Sequence, residues 1–245
     1  MVGVDNYKKL SQDSQVWNAL WNTLTFAFFV TIFQNVISLM LAVLLDHVGR
    51  AYRVLRVLFL IPTLISALAI GFIWSYMYGP ISGVINTLLE LVGLQSWTQD
   101  WLGDTKWSMT SIIFTNIWQW VGFSLIIYLA GLQGVSSELK EAADIDGAGA
   151  WKKFVHITFP LIAPAFTINI IMTMIGSLKV FDIIYVMTKG GPGDATTSIA
   201  ILLYKQAFNF NQMGYGTAIA VVLFAIILIL SLVLITYLRR REVQS

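Results

Sequence analysis

The sequence predicts an all-α polytopic membrane protein with five transmembrane helices, on the evidence of its composition and its charge spacing. Hydrophobic residues make up 57% of the 245 residues, charged residues only 11%, and the mean hydropathy is +0.75. A soluble domain carries about 25% charged residues to keep its surface hydrated, so this composition excludes one. The charges also occur in clumps, and each long gap between clumps holds one span of about 20 apolar residues and is too short for two.

The long gaps between charges predict the positions of the spans. Each span must be helical, because lipid offers no hydrogen-bond partner to free backbone N–H and C=O groups. Pro62 and Pro164 fall inside a span or at its start, where proline kinks or begins a helix. The predicted spans are 17–45, 56–78, 107–132, 161–187 and 214–238.

Lysine and arginine in the short loops predict the orientation, because loops rich in these residues stay in the cytoplasm. One side, predicted to be cytoplasmic, holds Arg50, Arg53, Arg56, Lys140, Lys152, Lys153, Arg239, Arg240 and Arg241. The other side holds Lys8, Lys9, Lys106, Lys189 and Lys205. The predicted organisation is an external interfacial segment at 1–16, a transmembrane domain at 17–238 with a cytoplasmic loop at 133–160, and a basic cytoplasmic tail at 239–245.

This orientation places residue 1 outside the cell and the C-terminus inside it. Residues 1–16 are polar and contain Lys8 and Lys9, so they do not form a signal peptide. Two explanations stay open. Either a span that precedes residue 1 is missing from the sequence, or the chain inserts with its N-terminus outside.

Several classes of chemistry are excluded by what the chain lacks. It has no cysteine, and therefore no disulfide, thiol catalysis or thiolate metal site. His47 and His156 are isolated, and a net charge of +2 gives no argument for a nucleic-acid partner. The chain has no P-loop, HExxH or nucleophile-elbow motif. We therefore predict that it is not an enzyme, binds no metal or cofactor, and cannot hydrolyse ATP itself.

Two external segments contain interpretable patterns. Segment 79–106 carries an apolar stretch from Ile85 to Leu94, which predicts a short interfacial helix, and then Trp97, Trp101 and Trp107 at headgroup level. Segment 188–213 opens with a glycine-rich run. Because that run lacks the GxxxxGK[ST] spacing, it indicates a turn rather than a phosphate-binding loop.

The cytoplasmic loop 138–160 differs from the other loops. Its pattern predicts a helix at 136–146, a break at Gly147 and Gly149, and a second helix at 150–158 that stops before Pro160. Small residues leave the bend thin, so that a groove in a partner could accept it. An ordinary interfacial hairpin between two spans is equally compatible with this composition.

The spacing within this loop resembles the EAA signature of ABC-importer membrane subunits. Glu141-Ala142-Ala143 is followed by Gly147, Ile157 and Pro160 at the family's intervals, with Phe159 where the family has leucine. In that family the loop docks on the cytoplasmic ATPase subunit. The resemblance therefore implies ATPase-coupling roles for Glu141, Ala142, Ala143 and Gly147, and for the adjacent Asp146 and Ala148.

Other stretches resemble the maltose-type carbohydrate permeases within that family. They are the segments 2–7, 60–62, 181–185 and 188–192. The resemblance implies the type I importer permease fold without its usual first span, in a prokaryotic cell membrane. It also implies an extracytoplasmic binding protein, a second homologous permease, and two ABC ATPase subunits that hydrolyse ATP with Mg²⁺. The implied cargo is a sugar or oligosaccharide, with a non-sugar solute as the alternative.

Polar stripes on two predicted spans suggest a path for such a solute, which needs hydroxyl partners and a stacking surface. Asn169, Thr173 and Ser177 recur at helical spacing in the fourth span, as do Ser111, Thr115 and Gln119 in the third. Interhelical hydrogen bonding is the alternative use of such residues. In the resembled family these two helices bind sugar. The predicted pathway residues are Trp118, Gln119, Phe123, Asn169, Thr173 and Ser177.

Lys179 and Asp182 are the two charges placed well inside a predicted span. They predict either a structural ion pair or a part of the solute path. A self-contained secondary transporter or channel is a rival interpretation of the whole chain. Such proteins use intramembrane ionisable relays or repeated interrupted helices, and this sequence offers only these two charges and no repeat.

Overall fold

The protein is a helical bundle, and the computed structural model describes residues 4–46 and 51–240. Short 3₁₀ and π-helical turns at Gln95–Trp97, Phe154–Thr158 and Lys205–Asn209 join some of the helices. The α-helices are α1 (Asp5–Gln12), α2 (Ser14–Asp46), α3 (Ala51–Leu64), α4 (Ala67–Met77), α5 (Val84–Leu91), α6 (Ser108–Gln133), α7 (Ser137–Ile145), α8 (Ala150–Lys153), α9 (Phe159–Leu161), α10 (Ala163–Leu178), α11 (Asp182–Met187), α12 (Ile199–Tyr204) and α13 (Met213–Arg239).

Within residues 4–46 and 51–240, three helices are each long and apolar enough to cross a bilayer alone: α2, α6 and α13. Two further spans are bent pairs. Helix α3 from Val54 onward continues into α4 with a bend of 96°, and the helical run Ala150–Leu161 continues into α10 with a bend of 70°. With each pair counted as one span, the predicted total of five is confirmed, and all five are helical.

The predicted span 56–78 is not one straight helix. Pro62 lies inside α3, which ends two residues later at Leu64. Ser66 then caps α4 by accepting a hydrogen bond from the amide of Ala69. Proline weakens the helix and a serine cap restarts it in a new direction, so the chain turns sharply between two apolar segments.

The predicted span 161–187 is also interrupted, at both ends. The loop helix expected to stop before Pro160 instead continues into α9. The π-helical turn Phe154–Thr158 already interrupts the regular i→i−4 bonding there, and Pro160 lies in the first turn of α9. The bend comes at Ile162, just before α10. At the other end α10 stops at Leu178, and α11 begins only at Asp182.

The centre of the bundle is the packing of α2 against α6 and α10. Glycines on α6 allow the closest approaches. A methyl group at Gly122 would lie 1.9 Å from the carbonyl oxygen of Phe59 on α3, and one at Gly131 would lie 2.8 Å from the Cβ of Ala165 on α10. Small residues let membrane helices approach this closely, and so α6 sits between the two bent spans.

At one end of the bundle the N-terminal segment meets residues 188–215. Asn18 and Asn22 donate hydrogen bonds to the carbonyl of Asp194, at 3.1 and 3.0 Å. The hydroxyl of Tyr215 donates to Asp13 Oδ2 at 2.6 Å. The start of α2, the segment 188–198 and the start of α13 therefore share one side, as the charge pattern predicts.

The opposite end is closed by apolar packing. Leu45, Leu132, Val135 and Ile162 belong to one buried cluster that joins the end of α2 to the loop after α6. The assignment of the loops to a cytoplasmic and an external side stays a prediction. The described residues do not include residues 1–3, His47, Arg50 or the tail from Arg241 onward.

The predicted interfacial helix at 85–94 corresponds to α5. Buried Asn86 fastens it to the following segment, because its Oδ1 accepts from Trp101 Nε1 at 2.7 Å and its Nδ2 donates to the Gln99 carbonyl at 2.9 Å. Trp101 also packs against Tyr78 and Trp107, while Trp97 remains exposed. Segment 79–107 is therefore an ordered cap over α4 and α6.

Candidate translocation cavity and docking loop

A cavity of about 390 Å³ lies between α2, α6, α10 and the break that precedes α11. Its wall combines aromatic rings, amides, hydroxyls and two charged side chains. The lining residues are Gln34, Ala67, Asn116, Trp120, Phe123, Met172, Thr173, Gly176, Ser177, Lys179, Val180, Phe181, Asp182 and Ile183.

The hydroxyl side of the cavity comes from α10. Thr173 and Ser177 are one turn apart and both line it. Each hydroxyl donates back to the carbonyl four residues earlier, Thr173 to Asn169 at 2.8 Å and Ser177 to Thr173 at 2.7 Å. With its proton engaged, each hydroxyl oxygen faces the cavity chiefly as an acceptor.

The aromatic side comes from α6. Asn116, Trp120 and Phe123 lie at i, i+4 and i+7, and therefore on one helix face. The rings of Trp120 and Phe123 are 6.3 Å apart and nearly perpendicular, and both remain partly exposed. Such rings offer apolar faces to a ligand that has both apolar and polar surface.

Two predicted pathway residues of α6 do not line this cavity. Trp118 packs edge-on against Trp74 of α4, with ring centroids 5.3 Å apart. Gln119 is buried, and its Nε2 donates to the carbonyl of Ile65 at 3.0 Å, where the break between α3 and α4 leaves that carbonyl unpaired within the helix. Consecutive helical residues are about 100° apart, so neither shares the face of Trp120.

The three predicted pathway residues on α10 differ in whether they line the cavity. Thr173 and Ser177 line the cavity, whereas Asn169 is fully buried among the helices and does not. Its Nδ2 lies 3.4 Å from the Ser124 carbonyl. Its Oδ1 has no partner among the described residues. The roles of all six predicted pathway residues in transport stay predictions.

Sequence reasoning missed the two amide side chains of the cavity wall, Gln34 and Asn116. Gln34 is buried on α2 and donates from Nε2 to Ser124 Oγ at 2.8 Å. An amide in the middle of an apolar span is a signal of a functional or buried polar site. Gln34 and Asn116 do not belong to the repeated polar stripes from which the pathway residues were predicted. The other stripe, Ser111 and Thr115, bonds to carbonyls of Trp101 and Ser111 at 3.0 and 2.9 Å, which is the structural use of such residues.

Lys179 and Asp182 flank the break between α10 and α11, and both line the cavity. They do not form the ion pair that was one expectation for them. The ion pairs among the described residues are Lys153 with Asp144 and Lys205 with Asp194. The structure thus places both charges along the cavity wall.

The loop between α6 and α10 presents a helix and a sharp bend. Ser136 caps α7 by accepting from the amide of Glu138. At its other end, the amide of Ala148 bonds to the Ala143 carbonyl at 2.9 Å, and that of Gly147 to the Asp144 carbonyl at 3.1 Å. This Schellman pairing requires a left-handed residue, and Gly147 supplies it with φ +73°.

The surface of this loop carries two highly exposed apolar side chains. Ile145 is 87% exposed and Trp151 75% exposed, on the two sides of the bend. Of the predicted coupling residues, Glu141, Ala142, Asp146 and Gly147 are exposed, Ala148 is half-buried and Ala143 is buried. Exposed apolar residues beside small ones favour a docking surface over a solvated hairpin.

Titratable side chains do not converge on a metal site. Among residues 4–46 and 51–240, no group of three His, Cys, Asp or Glu side chains is close enough to hold an ion. The polar groups that do converge, at the cavity, are amides, hydroxyls and the two opposite charges.

Comparisons with known proteins agree with this geometry. A family described as "Binding-protein-dependent transport system inner membrane component" matches residues 34–244. The chain is 33% identical over 99% of its length to "Probable starch degradation products transport system permease protein AmyD" of Thermoanaerobacterium thermosulfurigenes, covering 82% of that protein. It is 34% identical over 95% of its length to "Trehalose/maltose transport system permease protein MalF" of Thermococcus litoralis, covering 78% of that protein.

Solved structures show the same architecture. A chain of a bacterial ABC transporter that imports the acidic polysaccharide alginate superposes with a TM-score of 0.89 and 25% identity, over 98% of this chain and 84% of that one. A chain of a bacterial alginate transporter complexed with an alginate pentasaccharide-bound periplasmic protein gives a TM-score of 0.88 and 26% identity, over 97% and 83%.

Proposed function

The chain belongs to the family of binding-protein-dependent transport system inner membrane components, and we propose that it forms, with a second permease, the membrane path of an ATP-driven sugar importer. Membership makes it a multi-pass permease and not an enzyme. The cargo, the partners and the roles of individual residues are the content of the proposal.

The observation that supports a sugar as cargo is the wall of the cavity. Trp120 and Phe123 offer ring faces, while Thr173, Ser177 and Asn116 offer polar groups on the adjoining sides. A saccharide has apolar ring faces and a rim of hydroxyls, and aromatic stacking with rim hydrogen bonds satisfies both. A purely apolar solute would leave the polar groups of this wall unpaired, which costs free energy.

The proposed coupling runs through the loop at 133–160. Its bend exposes Ile145 and Trp151, and Gly147 provides the left-handed residue of the turn. We assign docking on a cytoplasmic ATPase subunit to Glu141, Ala142, Ala143, Asp146, Gly147 and Ala148. ATP-driven closure of two such subunits would rock the spans between inward- and outward-facing states as rigid bodies.

The remaining partners follow from the two ends of the bundle. Residues 1–16 and the segments 79–106 and 188–213 lie outside in the proposed orientation, where an extracytoplasmic binding protein would deliver cargo. The C-terminus is then cytoplasmic. ATP and Mg²⁺ act at the partner subunits, and this chain binds no cofactor of its own.

The test is uptake by the complete complex in proteoliposomes, with a panel of neutral and charged oligosaccharides beside amino acids and peptides. We expect one or more saccharides to enter in an ATP-dependent manner. Trp120→Leu should reduce that uptake about two- to tenfold, because the contact of an aromatic ring with a ligand is worth about 0.5–1.5 kcal/mol beyond the buried area, and each 1.4 kcal/mol is a factor of about ten. Entry of non-sugar solutes alone would contradict the proposal.

Trp118→Leu is the matched comparison, since it removes the same side chain two residues away and outside the cavity. We expect it to transport far better than Trp120→Leu. The opposite ranking would mean that the path follows the other face of α6.

A further inference from the structure

We propose that Lys179 and Asp182 act together as a charge filter that admits net-neutral glycans and disfavours glycans bearing carboxylate or ammonium groups. This inference rests on the proposed function, because it concerns the charge of the saccharide that the cavity accepts. It concerns a property of this cavity that the bundle architecture itself does not set.

Lys179 and Asp182 lie on either side of the break between α10 and α11. Lys179 is the C-cap residue directly after the last residue of α10, and Asp182 is the first residue of α11. Between them, Val180 is buried while the backbone leaves the helix. Both charged side chains are exposed and line the same cavity as Trp120, Phe123, Thr173 and Ser177.

Both charges are available to a ligand. Neither takes part in an ion pair or a side-chain hydrogen bond within the part of the chain that the structure describes. Each is instead favourably placed by its helix, the lysine at a C-terminal end and the aspartate in a first turn.

A lysine and an aspartate in one cavity wall together recognise a neutral glycan. A lysine ammonium only donates hydrogen bonds and an ionised carboxylate only accepts them. A sugar hydroxyl does both, so a neutral glycan can satisfy the two groups at once. A uronate approaching Lys179 also meets the negative charge of Asp182, and an amino sugar approaching Asp182 meets Lys179. Like charges at close range are costly where water is displaced.

The experiment uses a matched pair of probes. One is the neutral glycan that the panel identifies as imported, and the other is the same glycan oxidised at C6 to the uronate. Uptake of both is measured with the complete complex and one unchanged binding protein, so that any change in their ratio belongs to the permease. We expect wild type to favour the neutral probe at least tenfold.

Asp182→Asn should shift this preference at least tenfold toward the uronate, because it removes the repelling carboxylate and leaves Lys179. Lys179→Met should reduce uptake of the neutral probe about tenfold, the effect of one lost hydrogen bond to a charged group. Lys179→Arg keeps the charge and should keep the preference. Arg239→Met, at an exposed position at the end of α13 and outside the cavity wall, is the control and should leave the ratio unchanged.

Assembly of each variant is read separately, from co-purification of the ATPase subunits. A ratio that is the same in wild type, Asp182→Asn and Lys179→Met overturns the charge filter. An imported glycan that is itself a uronate also overturns it, while leaving the sugar importer intact. If no saccharide is imported at all, the proposed function fails instead, so the two failures are distinguishable.

Discussion

Gly147→Asp is the substitution that most directly perturbs the proposed docking surface. Gly147 has φ +73°, and a Cβ built there meets nothing within 4 Å. The change therefore causes no clash within the chain. Its internal cost is the left-handed backbone, about 1–2 kcal/mol per L-residue and less for aspartate, which visits that region routinely. The membrane domain should insert and fold.

The external cost is larger. If the bend is buried against an ATPase subunit, the new carboxylate is buried without a partner, at a cost of about 3–5 kcal/mol by analogy with broken buried pairs. Each 1.4 kcal/mol is a factor of about ten in affinity. We therefore expect the affinity for the ATPase subunits to fall at least about 100-fold, with loss of uptake.

The assay is co-purification of the ATPase subunits from membranes, with the amount of inserted permease measured in parallel. Gly147→Ala is the control, because it introduces at least as much backbone strain as Gly147→Asp but no charge. It should lose at most about 30-fold in affinity. Normal co-purification and uptake by Gly147→Asp would refute the docking assignment. Loss of membrane insertion would show that the residue acts on folding instead.

Three further predictions concern the bundle and its orientation. Gly122→Val should lower the melting temperature of the complex, because its side chain meets the α3 backbone and overpacking costs about 1–3 kcal/mol; Gly149→Ala, with open space around it, should not. Gln119→Leu should destabilise the bundle by about 1–3 kcal/mol in a thermal melt, because it leaves a carbonyl at the α3–α4 break unpaired, and an unchanged melt would contradict that role. The chain has no cysteine, so Glu90→Cys should react with an impermeant maleimide on intact cells and Asp146→Cys only after permeabilisation; the reverse would invert the orientation.

The number and type of spans could be predicted from the sequence because lipid permits little else. Hydropathy and the demand for internal hydrogen bonds fix helices of one bilayer's length. The angles of the bends could not be predicted, because the helical segments before and after each bend are both apolar. Pro62 and the Ser66 cap were visible signals of the first bend, but a 96° change of direction depends on Gln119 and on close packing against α6.

The face of α10 was predicted more accurately than the face of α6. Thr173 and Ser177 share a stripe, and that stripe lines the cavity. On α6, Gln119 bonds to the break in the bent span and Ser111 bonds to the carbonyl of Trp101 in the external segment, while Asn116 and Trp120 face the cavity. Periodicity identifies faces of a helix, but only the neighbours decide which face is open.

The helix and the bend of the loop at 133–160 could be predicted, because their signals are local. Ser136 and Gly147 begin and end α7 through capping geometry that three or four residues specify. The stop expected before Pro160 was wrong, because the helical run passes through a π-helical turn into α9, where Pro160 lies in the first turn.

The central claim is that this permease moves its cargo only when an external ATPase drives it. The most direct measurement is uptake of the imported glycan into proteoliposomes that hold the complete complex, and in parallel into proteoliposomes from which only the ATPase subunits are omitted. We expect concentrative uptake with the complete complex and ATP, and none without the ATPase subunits. Concentrative uptake by the permease in their absence would contradict the account.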